Sequence, residues 1–263
     1  MTNKELKLYS SLKLKKYRET ENLFLIEGEH LVEECLKSIK YKNLLIKLLI
    51  EKGRKFSFLN KYKELTGKTE TEEIETTKFR KISETKNSQG IAGILQMPEK
   101  VKFSKGKLIV ALDNINDPGN LGTILRTCHW FGTDTVLISE NSVDIYNSKV
   151  LRASQGSVFH IDIITDINLN KTLFDLYKDN YDIYLTTLET TYFLDDIKFE
   201  ADKKTVFVFG NEATGISKDL INNKIYKQIK IKGYSTCESL NIGISTGILL
   251  HTFRNKYLIQ GRL

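Results

Sequence analysis

The sequence predicts an α/β protein whose larger part is built on a mostly parallel sheet, and three observations carry that expectation. From Leu108 onward, apolar strand-like runs alternate with helix-like runs, the pattern of a parallel sheet covered on both faces. Three of the strand-like runs end in turns of Gly, Asn and Ser, which is where open α/β sheets bind ligands. The stretch QMPEKVKFSKGK, around Pro98 and Gly106, reads as a boundary between a smaller α/β domain at 1–98 and a second domain at 104–263.

In chain order, lysines interleaved with Leu6, Leu8, Leu12 and Leu14 read as one basic helix over 4–18. Residues 24–26 read as a short strand and Gly28 as a turn, and Leu31, Val32, Cys35 and Leu36 fall on one helix face. Strands are expected at 43–50 and 91–95, while 53–81 carries the weakest pattern. Beyond the boundary, strands are expected at 108–112, 135–139, 161–164, 183–187, 206–209 and 225–231. Helices are expected at 121–131, 149–156, 169–178, 218–222 and 240–253. The last is apolar almost all round (Leu240, Ile242, Ile244, Ile248, Leu249, Phe253), so it is expected to be buried in its own core or against a second subunit.

Composition narrows the function classes. With 263 residues, 40% of them hydrophobic and 28% charged, the chain reads as globular, and no apolar run is long enough to cross a bilayer. A net charge of +7 favours a polyanionic partner. Cys35, Cys128 and Cys237 lack metal-ligand spacing, and His30, His129, His160 and His251 are scattered, so no metal site and a cytoplasmic location are expected. The chain has neither a G-x-G-x-x-G turn after a strand nor a G-x-x-x-x-G-K-[ST] loop, which argues against ordinary dinucleotide binding and P-loop hydrolysis.

Three motifs carry the chemistry. In LDNINDPGNLGTILRTCHWF, Pro118-Gly119 makes a turn, Asn120 stands where a helix cap belongs, and Arg126 lies beside the apolar stripe. In FVFGNEATGIS, Gly210 permits close backbone approach, and Asn211 and Glu212 follow it. In IKIKGYSTCESLNIGISTGILLH, Ser239, Leu240 and Asn241 open the last helix.

The wording and order of these motifs resemble the SpoU (TrmH) family of RNA ribose 2′-O-methyltransferases in the SPOUT superfamily. NSKVLRASQGSVFHIDI, LKLKKYRETENLFLIEGEHLVEECL and SQGIAGIL extend the resemblance over most of the chain. It departs where the family has Ile-Pro-Met and this chain has Ile231-Lys232-Gly233. The resemblance implies a trefoil-knot methyltransferase domain, S-adenosylmethionine as cofactor, a homodimer, and an amino-terminal domain that binds RNA. Ribosomal RNA is favoured over transfer RNA. It also implies catalytic roles for Asn120, Arg126, Glu212, Ser239 and Asn241, and donor contacts from Thr187, Gly210, Asn211, Ile231 and Leu240. Two other classes remain open: an RNA-binding protein of this fold without activity, and a methyltransferase acting on an RNA base. Phosphate contacts are expected from Lys13, Lys15, Lys16 and Arg18.

Overall fold

The computed structural model describes residues 1–67, 69–99, 103–200 and 203–260, the side chains of 257–260 excepted. The chain forms two compact units, Met1–Lys100 with Asp144–His160, and Val101–Val143 with Ile161–Leu263. Where the sequence suggests a single division at 98–104, the structure adds an excursion, because Asp144–His160 belongs with the first unit.

The first unit runs α1 (Asn3–Ser11), α2 (Lys15–Glu21), β1 (Leu23–Glu27), α3 (Glu29–Lys37), β2 (Leu45–Glu51), α4 (Lys63–Thr66), β3 (Glu70–Ile74), α5 (Thr76–Ile82) and β4 (Ile91–Gln96). Its sheet has the order β1-β4-β2-β3, with only the β2–β3 pair parallel. The strand β3 and helix α5 fall in the stretch whose pattern was weakest. In β3 (ETEEI) only Ile74 is buried, so this edge strand shows no apolar alternation.

The basic helix expected over 4–18 is two helices. A capping box of Thr2 and Glu5 starts α1, and Leu12, 2% exposed, turns into the core beyond its end. Leu14 is extended (φ −100°, ψ 131°), which breaks the run. Two of the four cations expected on phosphates have structural work instead. Lys13 Nζ donates to the carbonyls of Lys81 and Ser83, both at 2.9 Å. Arg18, 3% exposed, donates to the carbonyls of Leu12 and Lys13 and pairs with Asp144. Its Nε lies 2.9 Å from Asp144 Oδ2.

Aromatic contacts hold Asp144–His160 in this unit. The Tyr146 ring lies 4.3 Å from that of Phe24, and Phe159 lies 5.0 Å from Tyr41. Ser38 Oγ donates to the Phe159 carbonyl at 2.7 Å. These partners are distant in sequence, so no local pattern announces them.

The chain continues with β5 (Leu108–Leu112), α6 (Pro118–Trp130), β6 (Thr135–Ser139) and α7 (Ser148–Ser154), the last inside the segment just described. The second unit resumes with β7 (Asp162–Ile167), α8 (Leu169–Lys178), β8 (Asp182–Thr186), β9 (Thr205–Phe209), α9 (Lys218–Ile221), β10 (Lys227–Ile229) and α10 (Ile242–Gln260). All six strands are parallel, in the order β10-β8-β9-β5-β6-β7. Every residue of β5, β6 and β9 is buried, as a sheet covered on both faces requires. Parallel strands bring all their carboxyl ends to one edge. Progression along the sheet reverses between β5 and β9, and that is where such sheets open a crevice.

Small residues let α6 and α10 approach closely. A Cβ on Gly243 would meet Thr123 Cγ2 at 2.8 Å, and one on Gly247 would meet Thr127 Cγ2 at 3.8 Å. The final helix is therefore only partly buried. Leu249, Leu250 and Phe253 face the core, while Ile244 and Ile248, with Leu240 ahead of them, are exposed at 55%, 37% and 48%. Among the described residues, no helix is long and apolar enough to cross a membrane.

Candidate active site at the carboxyl edge of the parallel sheet

Three loops of the second unit build the site. The first follows β5 and enters α6, whose cap is Asp117, not Asn120 as the sequence suggests. Asp117 Oδ1 accepts from the Asn120 backbone N–H at 2.7 Å, and Pro118 takes the first helical position, where its missing N–H costs nothing. This register leaves the Asn120 side chain free to act elsewhere. Its Nδ2 donates to Glu212 Oε1 at 2.7 Å, and its Oδ1 accepts from Asn241 Nδ2 at 2.9 Å.

The second loop follows β9. A Cβ at Gly210 would lie 2.3 Å from the Gly215 carbonyl carbon and the Ile216 nitrogen, so only glycine permits this fold-back. Asn211 and Gly215 exchange backbone hydrogen bonds at 3.0 and 2.9 Å. The Asn211 side chain is wholly engaged within the site's framework: Nδ2 donates to the Asn114 carbonyl, and Oδ1 accepts from Ala213 and Thr214 N–H. Asp113 Oδ2 accepts from Ser217 N–H at 2.7 Å and ties the loop to β5. This turn carries Glu212 exposed and ahead of any helix, since α9 begins only at Lys218.

The third loop follows β10 and enters α10. Asn241 Oδ1 accepts from Gly243 N–H at 2.9 Å and from Ile244 N–H at 3.4 Å, so Asn241 caps the helix and Ser239 does not. Ser239 is exposed, and its carbonyl accepts from Cys237 Sγ. Among the described residues, no backbone-to-backbone hydrogen bond involves 232–240; side chains engage the Cys237 N–H and the Ser239 carbonyl, and the other backbone groups of the run are open to a ligand. The loop after β8 lies alongside: Thr187 N–H donates to the Ile229 carbonyl at 3.0 Å, and Phe193 bridges to Lys230.

The structure thus joins Asn120, Glu212 and Asn241 in one hydrogen-bonded chain across three loops. Thr187, Gly210, Ile231 and Leu240 stand on the adjacent loops after β8, β9 and β10. Arg126 is not in that chain. It sits two-thirds of the way along α6, exposed and without a side-chain partner among the described residues. The same edge carries a cleft of about 290 Å³ that the sequence did not announce, lined by Asp113, Asn114, Asn141, Asn168, Asn170 and Thr214 among others. Amides after strands read as turn formers, and Asn114 and Asn141 do adopt positive φ (60° and 66°), so their second role as a cleft wall was hidden.

Comparison with known proteins agrees with this architecture. Residues 107–251, more than half of the chain, match the model of the SpoU rRNA Methylase family, and residues 3–93 match the MRM3-like substrate binding domain. A 23S rRNA (guanosine(2553)-2′-O)-methyltransferase of Bacillus subtilis (strain 168) is 31% identical over 252 residues, covering 96% of each chain. An RNA methyltransferase of the TrmH family from Porphyromonas gingivalis superposes with a TM-score of 0.83 at 26% identity, covering 97% of this chain and 99% of that one. An AdoMet-bound rRNA methyltransferase from Sinorhizobium meliloti gives 0.81 at 25% identity, covering 97% and 95%. The chain belongs to the SpoU rRNA methylase family and is an RNA methyltransferase.

Proposed function

We propose that this protein transfers a methyl group from S-adenosylmethionine to a ribose 2′-hydroxyl of ribosomal RNA. The observation that carries the reading is the Glu212–Asn120–Asn241 chain, which sets polar groups from three strand-end loops in one fixed arrangement. The loops suit an adenosine-bearing donor. The backbone groups of 232–240, none of them bonded to other backbone among the described residues, lie next to half-buried Ile231 and exposed Leu240, a pairing that matches a flat apolar base with polar edges. The donor supplies an electrophilic sulfonium methyl.

This chain's own residues would orient the hydroxyl and stabilise its charge. Asn120 and Glu212 present an amide and a carboxylate held against each other, and such fixed groups position a hydroxyl at little entropic cost. Arg126 would stabilise the developing alkoxide through the N–H donors of its guanidinium. Ser239, exposed on the third loop, would contact the ribose or the donor. Thr187, Gly210, Ile231 and Leu240 would hold the donor, and Asn211 would act by shaping its loop.

The reading includes a homodimer and the family's trefoil knot. Leu240, Ile244 and Ile248 form an exposed apolar row, and Trp130 of the neighbouring α6 is 84% exposed, a surface that a second copy of the chain would cover. For the knot, α10 returns from β10 at the sheet edge to lie against α6, which follows central β5. A cytoplasmic location fits three free thiols, two of them buried with their pKa pushed up to about 12 by desolvation.

The test is incubation with S-adenosylmethionine and an unmodified 23S ribosomal RNA transcript, followed by nuclease digestion and mass spectrometry. A 2′-O-methyl nucleoside is expected. A base-methylated nucleoside would establish the base-methylating class instead. No methyl transfer, with no donor binding by calorimetry, would establish the inactive RNA-binding class.

A further inference from the structure

We infer that the first unit carries a phosphate-binding pocket for the RNA backbone, built by Arg54, Arg80 and Lys86. This rests on the reading of RNA as substrate and assigns the contact to residues outside the basic amino-terminal stretch. A cavity of about 500 Å³ opens between the end of β2, the last turn of α5 and the loop at 83–90. Three cations from three separate elements line it: Arg54 after β2, Arg80 in α5 and Lys86 in the loop. Convergence from three elements is not what the solvated face of one helix produces. Arg80 and Lys86 have no ion-pair or hydrogen-bond partner among the described residues, and Arg54 lies 3.6 Å from Glu51, the one acidic group in the lining. Three cations against one carboxylate leave the pocket positive.

The loop is held in place without using those cations. Glu27 accepts from the hydroxyls of Ser83 and Thr85 and from the Glu84 N–H, which fixes the loop's course. Lys13, donating to the carbonyls of Lys81 and Ser83, places a positive charge where the carboxyl end of α5 would otherwise repel an anion. Guanidinium groups match phosphate geometry, and phosphate contacts position RNA without reading its sequence. The Asn87 side chain also lines the pocket and supplies a neutral donor.

The experiment uses the full-length protein and an unmodified 23S ribosomal RNA transcript in a filter-binding titration over a range of salt. Arg80→Ala/Lys86→Ala should weaken RNA binding by at least about 10-fold and flatten the logarithmic salt slope by roughly 1.4, two phosphate contacts at about 0.7 each. Donor affinity by calorimetry should not change, because the donor loops lie in the second unit, and an unchanged urea unfolding midpoint shows that the first unit is folded. Arg80→Lys/Lys86→Arg should restore most of the affinity, because the charges remain. Unchanged RNA affinity and salt slope in the alanine variant would overturn the pocket while leaving the methyltransferase reading intact. Wild-type protein that binds RNA through Arg80 and Lys86 but transfers no methyl group would support the pocket and overturn that reading. Inorganic phosphate alone is the second probe. Submillimolar phosphate binding that the alanine variant loses, with RNA affinity unchanged, would assign the pocket to a free anion and overturn the RNA proposal.

Discussion

Asn120 Nδ2 donates to Glu212 Oε1 at 2.7 Å, joining the first turn of α6 to the loop after β9 across 92 residues of sequence. The same amide accepts from Asn241, so replacing it breaks two bonds and frees two polar groups at once. Asn120→Ala should lower kcat by about 100-fold, the scale expected when positioning is lost. Because Glu212 and Asn241 are exposed and Asn120 is only partly buried, water can replace the lost partners and stability should fall by only about 1 kcal/mol. Single-turnover kinetics beside urea unfolding measure both, and an unfolding midpoint that drops with kcat intact would make the network purely structural.

Arg126→Ala should abolish methyl transfer and leave donor affinity within a few fold. The side chain has no partner among the described residues, so its loss disturbs no fold contact. Turnover near the wild-type rate would remove Arg126 from the mechanism.

Gly210→Val should eliminate donor binding. The new Cβ alone would lie 2.3 Å from the Gly215–Ile216 peptide, and that turn carries Glu212. Calorimetric titration with S-adenosylmethionine checks this, and unchanged affinity in a folded variant would take the loop out of the site.

The cluster around Lys47 should make the first unit acid-sensitive. Lys47, 4% exposed, lies 2.7–2.8 Å from Glu5, Glu70 and Glu72. Its hydrogen bond, with those from Thr2, lowers the Glu5 pKa from 4.5 to about 2. A pKa depressed by folding gives stabilisation that is complete above pH 4.5 and is lost as pH falls toward 2. Glu5→Gln should therefore lower the urea midpoint at pH 7 and change it little at pH 2. An equal drop at both would assign the loss to packing.

A fragment beginning at Ser104, where the sequence places the start of the second domain, should expose Asp144–His160. That segment gives Tyr146 and Phe159 to the rings of Phe24 and Tyr41 in the first unit. Chymotrypsin should cut the fragment within 144–160 while sparing the intact chain. Equal resistance in both would show that the segment keeps its shape alone.

Residues 108–139 of the second unit were legible because fully buried parallel strands give unbroken apolar runs, and Leu108–Leu112 and Thr135–Ser139 appear at the expected bounds. The motif residues were legible as types: amides, glycine and a carboxylate after strands. Which of them cap helices was not legible, because Asp117, Asn120, Ser239 and Asn241 all have capping side chains. Only the paths of the chain into α6 and α10 select Asp117 and Asn241 for the task. In the same way Lys13 and Arg18 look like any solvated cations in the sequence. Their engagement with Lys81, Ser83 and Asp144 depends on contacts 68 to 126 residues away. The sequence by itself determined the alternation of elements and the chemical types at the strand ends, since those follow from local pattern. Only the tertiary structure decided which side chains meet, because the Glu212–Asn120–Asn241 chain exists only where three parallel strands end at one edge.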